Sequence, residues 1–152
     1  MALASTPLCL LSAPPRPTMK KSTLLAIGFS VCALATPALS CTFSWTHYGE
    51  VQTKKRLQAD IGSKVTQDYC DRYNKTHELV LITDEFQNDK RTLVHVRVGL
   101  RKRGTDGYPR LNRSSYRFED GNFVIAKKYT MAAALTLDVL MDVMSDLDTF
   151  VE

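Results

Sequence analysis

The chain has 152 residues, a formal net charge of +4 and four cysteines. That length leaves room for one domain with a single core once any targeting segment is set aside. Arg16, Lys20 and Lys21 precede residue 41 and no acid does, so residues 41–152 hold 17 Lys and Arg against 16 Asp and Glu, a balance that gives no electrostatic argument for nucleic-acid binding.

Residues 1–18, MALASTPLCLLSAPPRPT, hold four of the six prolines and push the Lys20-Lys21 pair inward from where a signal peptide begins. Either synthesis starts at Met19, or these residues form a disordered leader. Residues 19–40 have the layout of a secretory signal peptide. Lys20 and Lys21 precede a run from 24 to 35 that is apolar apart from Gly28 and Ser30. Pro37 then breaks the run, and Ala38 and Ser40 supply small residues at −3 and −1 before Cys41. The run is too short to cross a bilayer as a helix, which takes about 20 residues.

The mature chain is therefore expected to start at Cys41, in the periplasm or outside the cell. A lipoprotein signal wants a large aliphatic residue at −3 and small ones after it, whereas here Ala38 precedes Leu39. Ordinary cleavage fits better, with a membrane-anchored lipoprotein as the alternative. Cys9 and Cys32 leave with the leader, and Cys41 and Cys70 remain as an even pair for an oxidising compartment. A disulfide between them would contribute roughly 3 to 4 kcal/mol in the chain-entropy model. A lipidated Cys41 would leave Cys70 unpaired.

Within 51–73, Leu57, Ile61, Val65, Tyr69 and Tyr73 recur every four residues, with Lys54, Lys55, Lys64 and Asp68 on other faces. The spacing predicts one amphipathic helix, in which Gly62 costs about 1 kcal/mol relative to alanine. LVLITDEF (79–86) and TLVHVRVGLRKR (92–103) flank the polar QNDKR and predict a hairpin. In its second strand Val94, Val96, Val98 and Leu100 take one face; His95, Arg97, Arg101 and Arg103 take the other. If the hairpin turns around Asn88 and Asp89, Val80, Ile82 and Phe86 join His95 and Arg97, a mixture that marks a partly covered face or an interface.

After a loop holding GTDGYPR, the segment SSYRFEDGNFVIAKKY (114–129) predicts a second hairpin closed by a type I′ turn at Asp120-Gly121. Phe118 would then face Phe123, and Tyr116 would face Ile125. A last helix is expected over 131–150, with Thr130 as N-cap and an apolar stripe of Leu137, Leu140, Met141, Met144 and Leu147. The fold class is α+β: a helix, an antiparallel sheet of three to four strands and a helix, as a single domain over 41–152 with one disulfide.

Charge is uneven along this domain. Residues 90–117 hold nine basic side chains and one acid, and residues 129–152 hold five acids and no base. Asp138, Asp142 and Asp146 line one helix face and point outward, whereas calcium ligands converge from a loop. They read as a solvated face or a surface for a basic partner, and they oppose the helix dipole by a few tenths of a kcal/mol each. His47, His77 and His95 lack metal-ligand spacing to one another or to a cysteine, so no metal or cofactor is expected. The chain carries no H-E-x-x-H, G-x-S-x-G, phosphate-binding loop or C-x-x-C.

His95 among Arg97, Arg101 and Arg103 is the most suggestive cluster. Such a strand face holds phosphate and moves a proton in a metal-free nuclease; the plainer reading is a basic face that keeps a sheet soluble. Phe43, Trp45 and Tyr48 are expected to cap the core beside the disulfide, the alternative being an exposed binding edge. The sequons at Asn74 and Asn112 matter only in a eukaryotic secretory pathway, and the compact Lys-Lys signal is bacterial in style.

These signals favour a small exported, non-catalytic binding protein of inhibitor, immunity or accessory-subunit type. It would act through the basic strand face and the acidic C-terminal helix on a protein partner in the cell envelope. The alternative is a small exported metal-free phosphodiesterase using His95, Arg97 and Arg101. Self-association, basic sheet to acidic helix, is a third option. Membrane attachment enters only through lipidation of Cys41.

Overall fold

The computed structural model describes residues 41–121 and 124–151; the 1–18 leader and the 19–40 signal segment lie outside the described residues. Strand β1 is Trp45–Tyr48, followed by helix α1, Val51–Asp60, a 3-10 turn, Ile61–Lys64, and helix α2, Gln67–Arg72. Strands β2, His77–Gln87, β3, Arg91–Lys102, and β4, Asn112–Asp120, come next. Helix α3, Ala126–Ser145, and a 3-10 turn, Leu147–Phe150, complete the described chain. The strands form one sheet in the order β1-β2-β3-β4. The protein is α+β, with its helices on the inner face of that sheet.

The β2–β3 hairpin forms as the alternation predicts. Lys90 and Arg91 donate backbone N–H to Asn88 Oδ1 at 2.9 and 2.7 Å, so one side chain shapes the turn. Leu79 and Leu81 of β2 and Val94, Val96, Val98 and Leu100 of β3 are buried on the inner face. Leu57 and Ile61, Tyr69 of α2, and Leu135, Val139, Leu140 and Val143 of α3 close the core over them.

Five expectations need correction. The sheet is mixed, because β1 runs parallel to β2, with Trp45 opposite Leu79 and Tyr48 opposite Ile82. A parallel neighbour needs a crossover, and the α1–α2 segment supplies it. The helix expected over 51–73 is broken at 61–66: Gly62 lies in the 3-10 turn, and Thr66 starts α2 by accepting the Tyr69 N–H on its side chain at 3.4 Å. Leu57, Ile61 and Tyr69 nevertheless stay buried, so the apolar spacing survives the break.

The hairpin over 114–129 does not form. Among the described residues strand β4 pairs only with β3, Phe118 lying opposite Leu93 and Tyr116 opposite His95, and the chain enters α3 at Ala126. Ile125 is at the start of that helix, and Phe123 lies outside the described residues. Thr130 is then no cap: it sits in the second turn of α3, where its hydroxyl donates to the Ala126 carbonyl at 3.1 Å. The buried side of α3 is also rotated from the expected stripe, since Met141 is exposed while Ala132, Leu135, Val139 and Val143 are buried.

Cys41 and Cys70 are disulfide-bonded, with Cα atoms 5.8 Å apart, tying the start of the described chain to α2. Phe43 and Trp45 pack against the core nearby, as expected. Gly49 turns β1 into α1 at φ +149°, where a Cβ would lie 2.2 Å from Thr83 Oγ1. On the outer face, the loop after β3 folds back over Gly99: an added Cβ there would meet the Leu111 carbonyl at 2.6 Å and Pro109 at 2.9 Å. Under this cover Val80 and Ile82 are buried, although they lie on the sheet's second face.

Replacing Cys41 and Cys70 together by serine is expected to destabilise the protein by about 3 kcal/mol. A thermal melt would record this as a midpoint lowered by roughly 10 °C or more.

Candidate functional site

The outer face of the sheet is where the sequence candidates and the uncovered surface coincide. Register sets it out in rows across β2, β3 and β4. Phe86, Leu93 and Phe118 form one row; Asp84, His95 and Tyr116 form the next; Ile82, Arg97 and Ser114 form a third. Neighbours within a row stand about 5 Å apart, so each row acts as one small surface. The loop after β3 covers the Gly99 end. At the other end Phe86 is 56% exposed, Leu93 39%, Tyr116 68% and Phe118 53%. Four large apolar side chains thus stand together in water, which a soluble sheet rarely tolerates without a use.

Charged groups border this patch without being locked. Asp84 Oδ2 lies 3.5 Å from His95 Nδ1 and 3.6 Å from an Arg97 Nη, all three side chains at least a third exposed. Arg91 pairs with Asp120 at 2.6 Å and holds its guanidinium 5.5 Å from the Phe118 ring centre. Exposed pairs of this kind contribute about 0–1 kcal/mol, so they can exchange partners at little cost.

The remaining basic candidates have other work. The Arg101 and Glu78 side chains are only 10% and 14% exposed, and Arg101 donates from Nε and Nη2 to Glu78 Oε1 at 3.1 and 2.7 Å. Its Nη1 donates to Tyr48 Oη at 3.2 Å and to the Gly107 carbonyl. The Tyr48 hydroxyl and Glu78 hold this guanidinium protonated more firmly than in water. Arg103 donates to the His77 carbonyl at 3.1 Å and to Asn74 Oδ1 at 3.0 Å. The structure therefore brings His95 and Arg97 together and spends Arg101 and Arg103 on holding segments in place.

The acidic row lies on the other side of the sheet, on α3. Asp138 faces Arg117 of β4 at 3.5 Å, Asp142 is exposed, and Asp146 accepts from the Thr149 hydroxyl at 2.7 Å at the helix end. The basic strand face and the acidic helix do not form one site.

His47 and His77 are structural as well. His47 Nε2 lies 3.0 Å from Thr83 Oγ1, whose own proton goes to Glu85 Oε1 at 3.0 Å, so His47 is the donor. Thr53 donates to the same Glu85 oxygen at 2.6 Å. His77 Nδ1 lies 2.9 Å from Thr76 Oγ1, whose proton goes to the Tyr73 carbonyl, which leaves Nε2 as a bare lone pair among buried atoms. Burial first, then Lys54 for His47 and Lys102 for His77, pushes both imidazoles below their usual pKa. Burial also pushes the Tyr69 phenol up to about 12, and its hydroxyl donates to the His77 carbonyl at 3.1 Å.

One surface depression, of about 350 Å³, is lined by His77, Arg101, Lys102, Thr105 and Arg110. Another, of about 420 Å³, is lined by Gly49, Glu50, Thr83, Asp84 and Glu85, so it reaches the carboxylate beside His95. Among the described residues no three His, Cys, Asp or Glu side chains converge as a metal site, and no helix is long and apolar enough to cross a membrane. No protein-family model matches the chain, and none of the curated proteins compared with it is similar.

Asp84, Leu93, Tyr116 and Phe118 were not among the sequence candidates. Only Phe86 carried a signal, through its alternation with Val80 and Ile82; the other four needed the register of three strands.

The half-buried His47 and the buried His77 generate a pH dependence. Unfolded, each takes up a proton near pH 6.5, whereas folded each resists it until a lower pH. Stability is therefore expected to be held above about pH 6.5 and to fall as the pH drops below it. Thermal midpoints measured between about pH 7 and pH 5 would show the decline. The double variant His47→Gln/His77→Asn, which keeps the two hydrogen-bonding nitrogens, should flatten it.

Proposed function

We propose that the protein is an exported, non-catalytic binding protein that takes a protein partner on the uncovered end of its outer sheet face. The observation that carries this reading is the exposed row Phe86–Leu93–Phe118 with Tyr116 beside it, bordered by Arg91, Arg97, His95 and Asp84. Aromatic side chains with arginine at their margin are the composition of protein-binding surfaces, where a few such residues supply most of the affinity. The partner this chemistry fits has an apolar centre flanked by carboxylates for Arg91 and Arg97.

Export rests on the signal layout of residues 19–40, and the Cys41–Cys70 disulfide is compatible with an oxidising compartment. The phosphodiesterase alternative draws less support. His95 stands on the outer face beside Asp84, Arg97 and Tyr116, and the register sets the other two histidines on the inner-face rows, held by structural bonds. The depression that Asp84 lines is walled also by Glu50 and Glu85, and three carboxylates repel a phosphodiester.

Placing a photo-crosslinking amino acid at Phe118 or Phe86 in the living host is expected to capture a discrete adduct, and at exposed Gln67 of α2 none. Phe118→Asp should abolish capture while leaving the melting temperature within a few degrees. Equal capture from Gln67, or none from either aromatic position, would sink the reading; an adduct of twice the chain mass is a second copy and not a partner.

Export is checked separately by intact mass. A species starting at Cys41 and lacking two hydrogens relative to the dithiol supports cleavage and the disulfide. A lipid increment on Cys41 would instead give a membrane-anchored protein.

A further inference from the structure

The two edges of the sheet are treated differently. The β1 edge is four residues long and ends at Gly49. The β4 edge runs for nine residues, NRSSYRFED, with no proline, glycine or lysine to interrupt it, and most of its side chains are exposed. Short strands, prolines and charged side chains are the usual means of keeping an edge unpaired; β4 is long and has no proline, and its charges, Arg113, Arg117, Glu119 and Asp120, are of both signs, so they can pair with a second copy as well as repel one.

The direction of its backbone groups follows from one bond. Gly121 donates its N–H to the Lys90 carbonyl at 2.7 Å, so Lys90 and Gly121 are a hydrogen-bonded pair of the antiparallel ladder. Alternation along β4 then turns the N–H and C=O groups of residues 113, 115, 117 and 119 toward β3. Those of Asn112, Ser114, Tyr116, Phe118 and Asp120 point outward, where no strand of the described residues meets them.

We propose that β4 pairs antiparallel with β4 of a second copy about a twofold axis at Tyr116, joining two four-stranded sheets into one. In this register every outward residue faces an outward residue: Tyr116 meets its own counterpart, Ser114 meets Phe118, and Asn112 meets Asp120. On the helix side Arg113 lies opposite Glu119, twice by symmetry, in the closer, non-hydrogen-bonded type of pair. Arg113 has no carboxylate within ion-pair distance among the described residues; its guanidinium lies 5.9 Å from the Phe150 ring centre. Glu119 gives one carboxylate oxygen to Lys127 at 3.0 Å and has a second available.

Charge selects this register over its neighbours. Sliding by one residue sets outward groups against inward ones and loses the ladder. Sliding one way by two sets Arg113 opposite Arg117 twice; sliding the other way sets Arg117 opposite its own counterpart. Like charges directly opposite are destabilising, so both alternatives are penalised while the Tyr116-centred one is attractive. The pairing uses the backbone edge of β4 but brings Tyr116 and Phe118 beside the second copy; the cross-linker at Phe86 on β2, two strands from that edge, keeps the test of the partner surface separate.

The test is the solution mass of the purified protein, expressed from its full sequence, by sedimentation equilibrium. The expected result is a dimer. Glu119→Arg or Arg113→Glu alone should weaken it roughly tenfold or more, and Arg113→Glu with Glu119→Arg should restore it. Tyr116→Cys is expected to cross-link to itself in air, since directly opposed strand residues have Cα atoms within disulfide reach, whereas Phe118→Cys should not. Circular dichroism identifies any variant that fails to fold, and Tyr116→Cys carries the test if a charge variant does. A monomer at all accessible concentrations would overturn the proposal. A dimer unmoved by the charge exchange and lacking the Tyr116→Cys cross-link would overturn it equally.

Discussion

Taking two ionised side chains out of water costs several kcal/mol each unless nearly every lone pair and proton finds a partner. At Glu78 and Arg101 they do. One carboxylate oxygen takes two guanidinium bonds, and the other lies 3.5 and 3.3 Å from the hydroxyls of Ser44 and Thr46. The last guanidinium nitrogen reaches Tyr48 and the Gly107 carbonyl. Through these two residues the segment before β1, strands β1, β2 and β3, and the loop after β3 are held at one point. That point fixes the parallel attachment of β1 and brings the loop down on Gly99. It therefore also decides which end of the outer face is left bare.

Surface and stability are thus divided along the sheet. At the Glu78 end the outer face behaves as interior: Val80 and Ile82 are buried and Tyr48 meets Tyr108 edge-on at 5.1 Å between ring centres. Two or three rows further along, the same face carries Asp84, His95 and Arg97 and then Phe86, Leu93 and Phe118, with no segment above them among the described residues. Exposed apolar rows cost solubility, and the ion pairs beside them are too weak to repay this by stability alone. The proposed binding role would offset that cost.

What could be read in the sequence was the part governed by short-range periodicity. The alternation of Val94, Val96, Val98 and Leu100 set the inner face of β3 correctly, and cysteine parity paired Cys41 with Cys70; the polar loop located the hairpin, but its turn is at Asp89-Lys90 and not Asn88-Asp89, because Asn88 pairs with Arg91. Where local signals compete, reading failed. Asp120-Gly121 resembles a hairpin turn, but β4 already had β3 as a partner, and Ala126 through Ala134 favour helix. Trp45–Tyr48 was too short to announce a strand whose partner follows two helical segments later. At the site, His95 and Arg97 were legible as strand-face residues. The burial of Arg101 was not, because nothing local tells an arginine facing solvent from one facing Glu78 across a strand.

The parallel placement of β1 also orders events in time. The chain is made from its N-terminus, so Trp45–Tyr48 exists before the strand it must pair with, and before Arg101, which anchors its neighbourhood. The β2–β3 hairpin closes across three residues and can form at once, whereas β1 must wait for a crossover of some thirty residues to be completed and returned. Strand β1, made before its partner, can thus be added only after β2 exists and the crossover has returned. Until then the edge of β2 stands open, with Leu79 and Leu81 beside it, and the newly made chain is most exposed to mispairing in that interval.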